Sequence, residues 1–93
     1  MTFADAITEK LANREVVKGI PSDLAKHAAK RLDYLAAATR IEDLYVPPSN
    51  KFHALGGLKT KRYAIWVNRQ WCISFEWPEG ASTANDVRFE DYH

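Results

Sequence analysis

The chain has 93 residues, a formal net charge of +1, and 46% hydrophobic and 12% aromatic residues, enough for a single domain around one core and too little for two. Its single cysteine, Cys72, excludes an internal disulfide and a cysteine-based zinc quartet and suits a reducing compartment. No apolar run approaches the roughly 18 residues of a membrane span, and MTFADAITEKLANRE is too frequently charged for a signal peptide, so a soluble cytoplasmic protein is expected.

Phe3, Ile7 and Leu11 recur every four residues among good helix formers, which predicts a short amphipathic helix with those three side chains on its apolar face. Lys18-Gly19-Ile20-Pro21 ends it. A second helix is predicted to start near Pro21 or Ser22, because proline suits a first turn, and Leu24, Ala28, Leu32 and Leu35 form its stripe opposite Lys26, Lys30 and Arg31. Thr39 and Glu42 have capping-box spacing and predict one more helical turn through Leu44.

After the loop Val46-Pro47-Pro48-Ser49-Asn50 the apolar period changes from four to two. Strands are predicted over Lys51 to Leu55, Arg62 to Val67, Trp71 to Trp77 and about Asn85 to Tyr92, with turns at Gly56-Gly57, Asn68-Arg69-Gln70 and Pro78-Glu79-Gly80. In the third strand Trp71, Ile73, Phe75 and Trp77 point one way and Cys72, Ser74 and Glu76 the other; in the fourth, Val87 and Phe89 face the core. The expected fold is α+β, with two N-terminal helices packed on one face of a curved antiparallel sheet in meander order.

The small net charge conceals an uneven distribution. Residues 44–75 carry Lys51, Lys59, Lys61, Arg62 and Arg69 with no acid, whereas residues 76–93 carry five acids against Arg88. A basic middle is the footprint expected for a polyanion partner, and equally that of a solvated surface with lysines at strand ends.

The open face of the sheet would then carry His53 from its first strand, with Asp91, Tyr92 and His93 from the end of its last. Together they suit an RNA-cutting site: a base for the proton of an attacking 2′-hydroxyl, an acid for the leaving oxygen, a phenol to stack or donate, and cations for the charge on phosphorus. Each residue also has a structural role open to it. Tyr92 is able to cap the core with its ring, and Glu90 and Asp91 are suited to blocking edge pairing. His27 lies among the polar positions of the second helix. The three histidines show no metal-ligand spacing and Cys72 has no partner, so neither a metal nor a cofactor is expected. Cysteine catalysis lacks support in the pattern, although the Cys72 face of its strand is free to be exposed.

Several blocks resemble the HigB-like toxins of the RelE superfamily, the plasmid maintenance system killer proteins. They are Ala36-Ala37-Ala38-Thr39 with Glu42-Asp43-Leu44, Pro47-Pro48 with Asn50, Phe52-His53-Ala54-Leu55, Val67-Asn68-Arg69-Gln70-Trp71 and Asp91-Tyr92-His93. The similarity runs from about Phe3 to His93 and implies a RelE-type toxin domain, with the strand that usually precedes the first helix very short or absent. It implies the toxin of a type II toxin-antitoxin system, a ribosome-dependent endoribonuclease that cuts translated mRNA through 2′-hydroxyl attack. An antitoxin of helix-turn-helix, HigA-like type is implied as partner, with operator DNA contacted through that antitoxin. His53, Asp91, Tyr92 and His93 match the family's catalytic positions. Gly56 stands where relatives carry a lysine after the strand histidine, and Cys72 where they carry an arginine in a W-R-I run. Both departures remove positive charge, so a catalytically weakened relative that binds RNA, ribosome or antitoxin and regulates its operon is the alternative.

Overall fold

The computed structural model describes residues 1–56 and 61–91. The first helix, α1 (Ala6–Ala12), starts where Asp5 caps it: the Asp5 carboxylate accepts from the Thr8 amide at 2.8 Å and from the Thr8 hydroxyl at 2.7 Å. This start turns Thr8 inward, and its buried oxygen also accepts from the Phe89 amide at 2.9 Å, joining the helix to the last strand. The expected Phe3-Ile7-Leu11 face is therefore corrected. Leu11 is buried, but Ile7 is 48% exposed and Phe3 lies outside the helix in a single parallel bridge to Val87. That bridge is all that stands for the strand before the first helix.

Gly19, at φ +87°, makes the turn into α2 (Ser22–Ala37), whose Ala28, Leu32 and Leu35 are buried as the stripe predicts. The next turn, a 3₁₀ helix over Ile41–Tyr45, is closed differently from the predicted box. The Asp43 carboxylate, rather than Glu42, reaches back to the amides of Thr39 at 3.0 Å and Arg40 at 3.2 Å. The predicted Pro47-Pro48 loop contains a cis Val46-Pro47 bond and a 3₁₀ turn over Pro48–Asn50.

Among the described residues, four antiparallel strands follow in meander order: β1 (His53–Leu55), β2 (Arg62–Trp66), β3 (Trp71–Glu76) and β4 (Asn85–Asp91). Asn68 shapes the β2–β3 hairpin by accepting from the amides of Gln70 and Trp71, both at 2.8 Å. Gly80, at φ +80°, serves the turn after β3, where the Trp77 indole donates to the Ala81 carbonyl at 3.1 Å. The register shifts between Ser74 and Glu76, opposite an Asp86 at φ +51°, and such a bulge bends a strand and increases its twist.

Helices and sheet meet in one core. Leu11, Leu32 and Leu35 pack with Ile65, Ile73, Phe75, Val87 and Phe89, and each full burial contributes about 1.5–3 kcal/mol. Phe52, Tyr63 and Phe75 stack beneath the helices, and Trp71 lies on Phe89 with ring centroids 4.7 Å apart. The α+β expectation of two helices on one face of an antiparallel sheet is the architecture observed, and no helix of the described residues is long and apolar enough to cross a membrane.

Candidate functional site

Alternation along the strands sorts the sheet into two faces. Tyr63, Ile65, Ile73, Phe75, Val87 and Phe89 belong to the helix side, so their neighbours Arg62, Ala64, Trp66, Cys72, Ser74, Arg88 and Glu90 project from the other. His53 pairs with Ala64 and shares that open face.

The backbone before β1 orients His53. Asn50 is fully buried, its side-chain amide donating to the carbonyls of Leu44 at 3.2 Å and Val46 at 3.4 Å while its oxygen accepts from Arg31 at 3.3 Å. Lys51 follows in the left-handed region, at φ 47° and ψ 47°, a conformation that costs a non-glycine residue about 1–2 kcal/mol and needs such an anchor. In that conformation its carbonyl lies 2.7 Å from His53 Nδ1. A carbonyl only accepts, so Nδ1 carries a proton and Nε2 is the ring's basic nitrogen when the imidazole is neutral. In this tautomer Nε2 is the nitrogen able to accept a proton.

The other expected residues divide. Lys51 stands beside His53, its ammonium 5.0 Å from the centre of the Trp66 ring, and Arg69 is exposed in the hairpin turn beyond Trp66. Lys61 turns to the helix side instead. Its ammonium lies 5.9 Å from the Tyr63 ring, beside a cavity of about 560 Å³ that Arg40, Glu42 and Trp77 also line.

Arg62, expected in the RNA-binding set, is drawn into an internal network. Its side chain is 10% exposed; Nη1 reaches Asp86 at 2.8 Å and Glu76 at 3.8 Å, and Nη2 donates to the Asp86 carbonyl at 2.9 Å and the Ser74 hydroxyl at 3.1 Å. A guanidinium so enclosed holds β2, β3 and β4 together and has no charge to spare for a phosphate. Lys59, Tyr92 and His93 lie outside the described residues.

Asp91 pairs with Trp71 on the edge strand opposite β1, and its carboxylate lies 3.4 Å from the Gln70 amide. Three inter-strand steps, about 14 Å in a flat sheet, separate β4 from β1, and Trp71 belongs to the helix side. Pairing register alone therefore does not bring Asp91 to His53.

Cys72 was free to be exposed by its place in the pattern, yet it is 4% exposed, beneath the open face between Trp66 and Glu90. Burial, with the charges of Glu90 and Asp91, pushes its thiol up to about 11, so a thiolate nucleophile is suppressed at neutral pH. Glu90 does more than block an edge. It accepts a short hydrogen bond from the Ser74 hydroxyl, which extends the Arg62 network across β4.

Trp66 and Asn50 carry the site's shape without having been assigned a role from sequence. The signal for Trp66 was present: in Arg62-Tyr63-Ala64-Ile65-Trp66-Val67 a large ring falls out of phase with the core positions Tyr63, Ile65 and Val67. Asn50 gave no such signal, because its burial comes from Leu44 and Arg31 folding onto it.

A family model for the HigB-like toxin, described as the RelE-like toxin of the type II toxin-antitoxin system HigB, matches residues 1–93. An uncharacterised protein of Haemophilus influenzae is 41% identical over 58 residues, covering 62% of this chain and 57% of that protein. Toxin HigB-1 of Vibrio cholerae is 35% identical over 63 residues, 68% of this chain and 66% of its own length. The matches thus span 57% of the first relative and 66% of the second, less than two thirds of either.

Proposed function

Since the chain belongs to the HigB-like family of RelE-like toxins, we propose that it is the toxin of a type II toxin-antitoxin pair and cuts translated mRNA on the ribosome. His53 Nε2 takes the proton of a ribose 2′-hydroxyl, whose oxygen attacks the adjacent phosphorus. The bond to the 5′-oxygen breaks, leaving a 2′,3′-cyclic phosphate, and an acid returns a proton to the departing oxygen. The family resemblance assigns that acid and its support to Asp91, Tyr92 and His93. Lys51 and Arg69 supply charge for the extra negative charge on phosphorus. The observation that carries this reading is the 2.7 Å contact between His53 Nδ1 and the Lys51 carbonyl, which readies the ring as a base. An antitoxin of helix-turn-helix type is the proposed partner, with the ribosome supplying the rest of the message-binding surface.

The test is primer-extension mapping of cuts in a translating extract. Codon-phased cuts by the wild type should fall about 10²- to 10⁴-fold in His53→Ala and in His93→Ala. Intact translated message in the presence of folded wild type would falsify the nuclease reading.

One arrangement favours a second reading, a relative that binds without cutting. Arg62 is fully engaged by Asp86 and Ser74, Gly56 bears no side chain and Cys72 is an uncharged buried thiol, so among the described residues none of these three positions offers the open face a cation near His53. That protein would associate with ribosomes in a salt-sensitive way while leaving message intact, and Gly56→Lys with Cys72→Arg would raise its toxicity. No gain from the double variant counts against it.

A further inference from the structure

We infer that Arg31, on α2, is a positioning residue for proton transfer at His53, acting through Asn50 and the Lys51 carbonyl. Resting on the nuclease reading proposed above, this role brings in a residue of the helical layer that the reading does not use.

The pattern along α2 groups Arg31 with Lys26 and Lys30 on the face away from the apolar stripe, where a solvated side chain is expected. The structure turns it inward instead. Arg31 is only partly exposed, its guanidinium carbon lies 5.8 Å from the centre of the Tyr34 ring, and Nη1 donates to Asn50 Oδ1 at 3.3 Å. Its Nε is buried without a hydrogen-bond partner among the described residues. A buried donor left unpaired lowers stability. Stability alone therefore does not account for a guanidinium at this place, where an apolar side chain would tie α2 to the loop at less cost.

What the guanidinium adds is direction. Arginine has donors and no acceptor, so the Asn50 amide turns its oxygen to α2 and its NH₂ group to the carbonyls of Leu44 and Val46, at 3.2 and 3.4 Å. Asn50 is fully buried in that orientation. The turn around it is closed by the Asn50 amide on the Pro47 carbonyl and the Lys51 amide on the Pro48 carbonyl, both at 3.0 Å, so side chain and loop move as one piece. Lys51 ends that piece, and its left-handed backbone sets the carbonyl 2.7 Å from His53 Nδ1. Arg31 thus acts on the imidazole at one remove. A shift at Asn50 moves the carbonyl, and the carbonyl selects which ring nitrogen holds the proton.

The test compares Arg31→Met, which keeps the stem and loses the donors, with Arg31→Lys, which keeps a charged donor. Far-ultraviolet circular dichroism checks the fold of both. The readouts are the nitrogen-15 shifts of the His53 ring in the free protein and the rate of message cutting at saturating ribosomes. Arg31→Met should move the ring from the Nδ1-protonated form to a tautomer mixture and slow cutting roughly ten- to a hundred-fold, and Arg31→Lys should recover most of both. In an Asn50→Ala background Arg31→Met should move the ring shifts no further, because the path is already broken. A folded Arg31→Met with wild-type ring shifts overturns the inference, since a purely structural tether lowers the melting temperature and leaves the tautomer alone. If Arg31→Met does not fold, Arg31→Gln, polar but too short to reach Asn50, is read in its place by the same two outcomes. Uncut message with folded wild type overturns the nuclease reading, while the ring shifts still decide whether Arg31 sets the tautomer.

Discussion

Replacing Asn50 by alanine removes three hydrogen bonds from a fully buried side chain: two donated by its amide to the carbonyls of Leu44 and Val46 and one received from Arg31. Leaving a buried polar group without its partner costs about 1–3 kcal/mol. The three bonds are long, at 3.2, 3.4 and 3.3 Å, so each counts near the lower end and the sum is about 3 kcal/mol. That is a large part of the 5–15 kcal/mol a small domain commands, and it corresponds to a fall in melting temperature of roughly 12–24 °C. The loss also releases Lys51 from its left-handed conformation, so the carbonyl that holds His53 Nδ1 swings away. Urea unfolding measures the first effect. Nitrogen-15 chemical shifts of the His53 ring measure the second, with the Nδ1-protonated form giving way to a tautomer mixture. A variant within about 1 kcal/mol of wild type, with unchanged ring shifts, would show that Asn50 neither anchors the loop nor orients the base.

Arg62→Ala should cost about 1–3 kcal/mol by taking the donor from the Ser74 hydroxyl and the Asp86 carbonyl while Arg88 stays on the Asp86 carboxylate at 3.0 Å, yet leave the salt dependence of RNA binding unchanged, whereas Lys51→Ala should lower the salt slope by about one. A reduced slope in Arg62→Ala refutes its structural assignment. The Cys72 thiol titrates higher folded, at about 11, than its ordinary 9.0, so the folded state holds its proton more tightly. Its contribution to stability is therefore full below pH 9 and disappears as the pH rises through about 11; Cys72→Ala should flatten that decline in unfolding curves taken between those limits. Gly56→Lys should change stability by less than about 0.5 kcal/mol, because a Cβ added there meets open space, and should speed cleavage by up to about a hundred-fold where the missing lysine limits the rate. Unaltered cutting would mean that other charges already serve the phosphate.

Local rules made much of this protein legible. The Leu24-Ala28-Leu32-Leu35 stripe, the switch from period four to period two after Pro47-Pro48, and the Asn68-Arg69-Gln70 turn each depend on neighbours in sequence, and they yielded α2, the meander and its hairpin. Ile7 went astray for a physical reason: spacing cannot tell which residue a cap will turn inward, and the Asp5–Thr8–Phe89 bonds, spanning the whole chain, chose Thr8. The basic stretch was likewise visible as composition, but which of its charges remain available was not. Arg62 is spent on Asp86 from 24 residues away, Lys61 faces the helix side, Lys51 stays by Trp66 and Arg69 is exposed in the hairpin turn.

What the sequence determines by itself, then, is which segments are helix or strand and which family's blocks they carry, because propensity, period and turn chemistry act over a few residues. Only the folded chain decides that His53 presents Nε2 as its basic nitrogen, that Trp66 shares its face, and that Cys72 is buried between Trp66 and Glu90. Those outcomes depend on contacts between residues distant in sequence, such as Arg31 with Asn50 and Ser74 with Glu90, whose partners no local pattern announces.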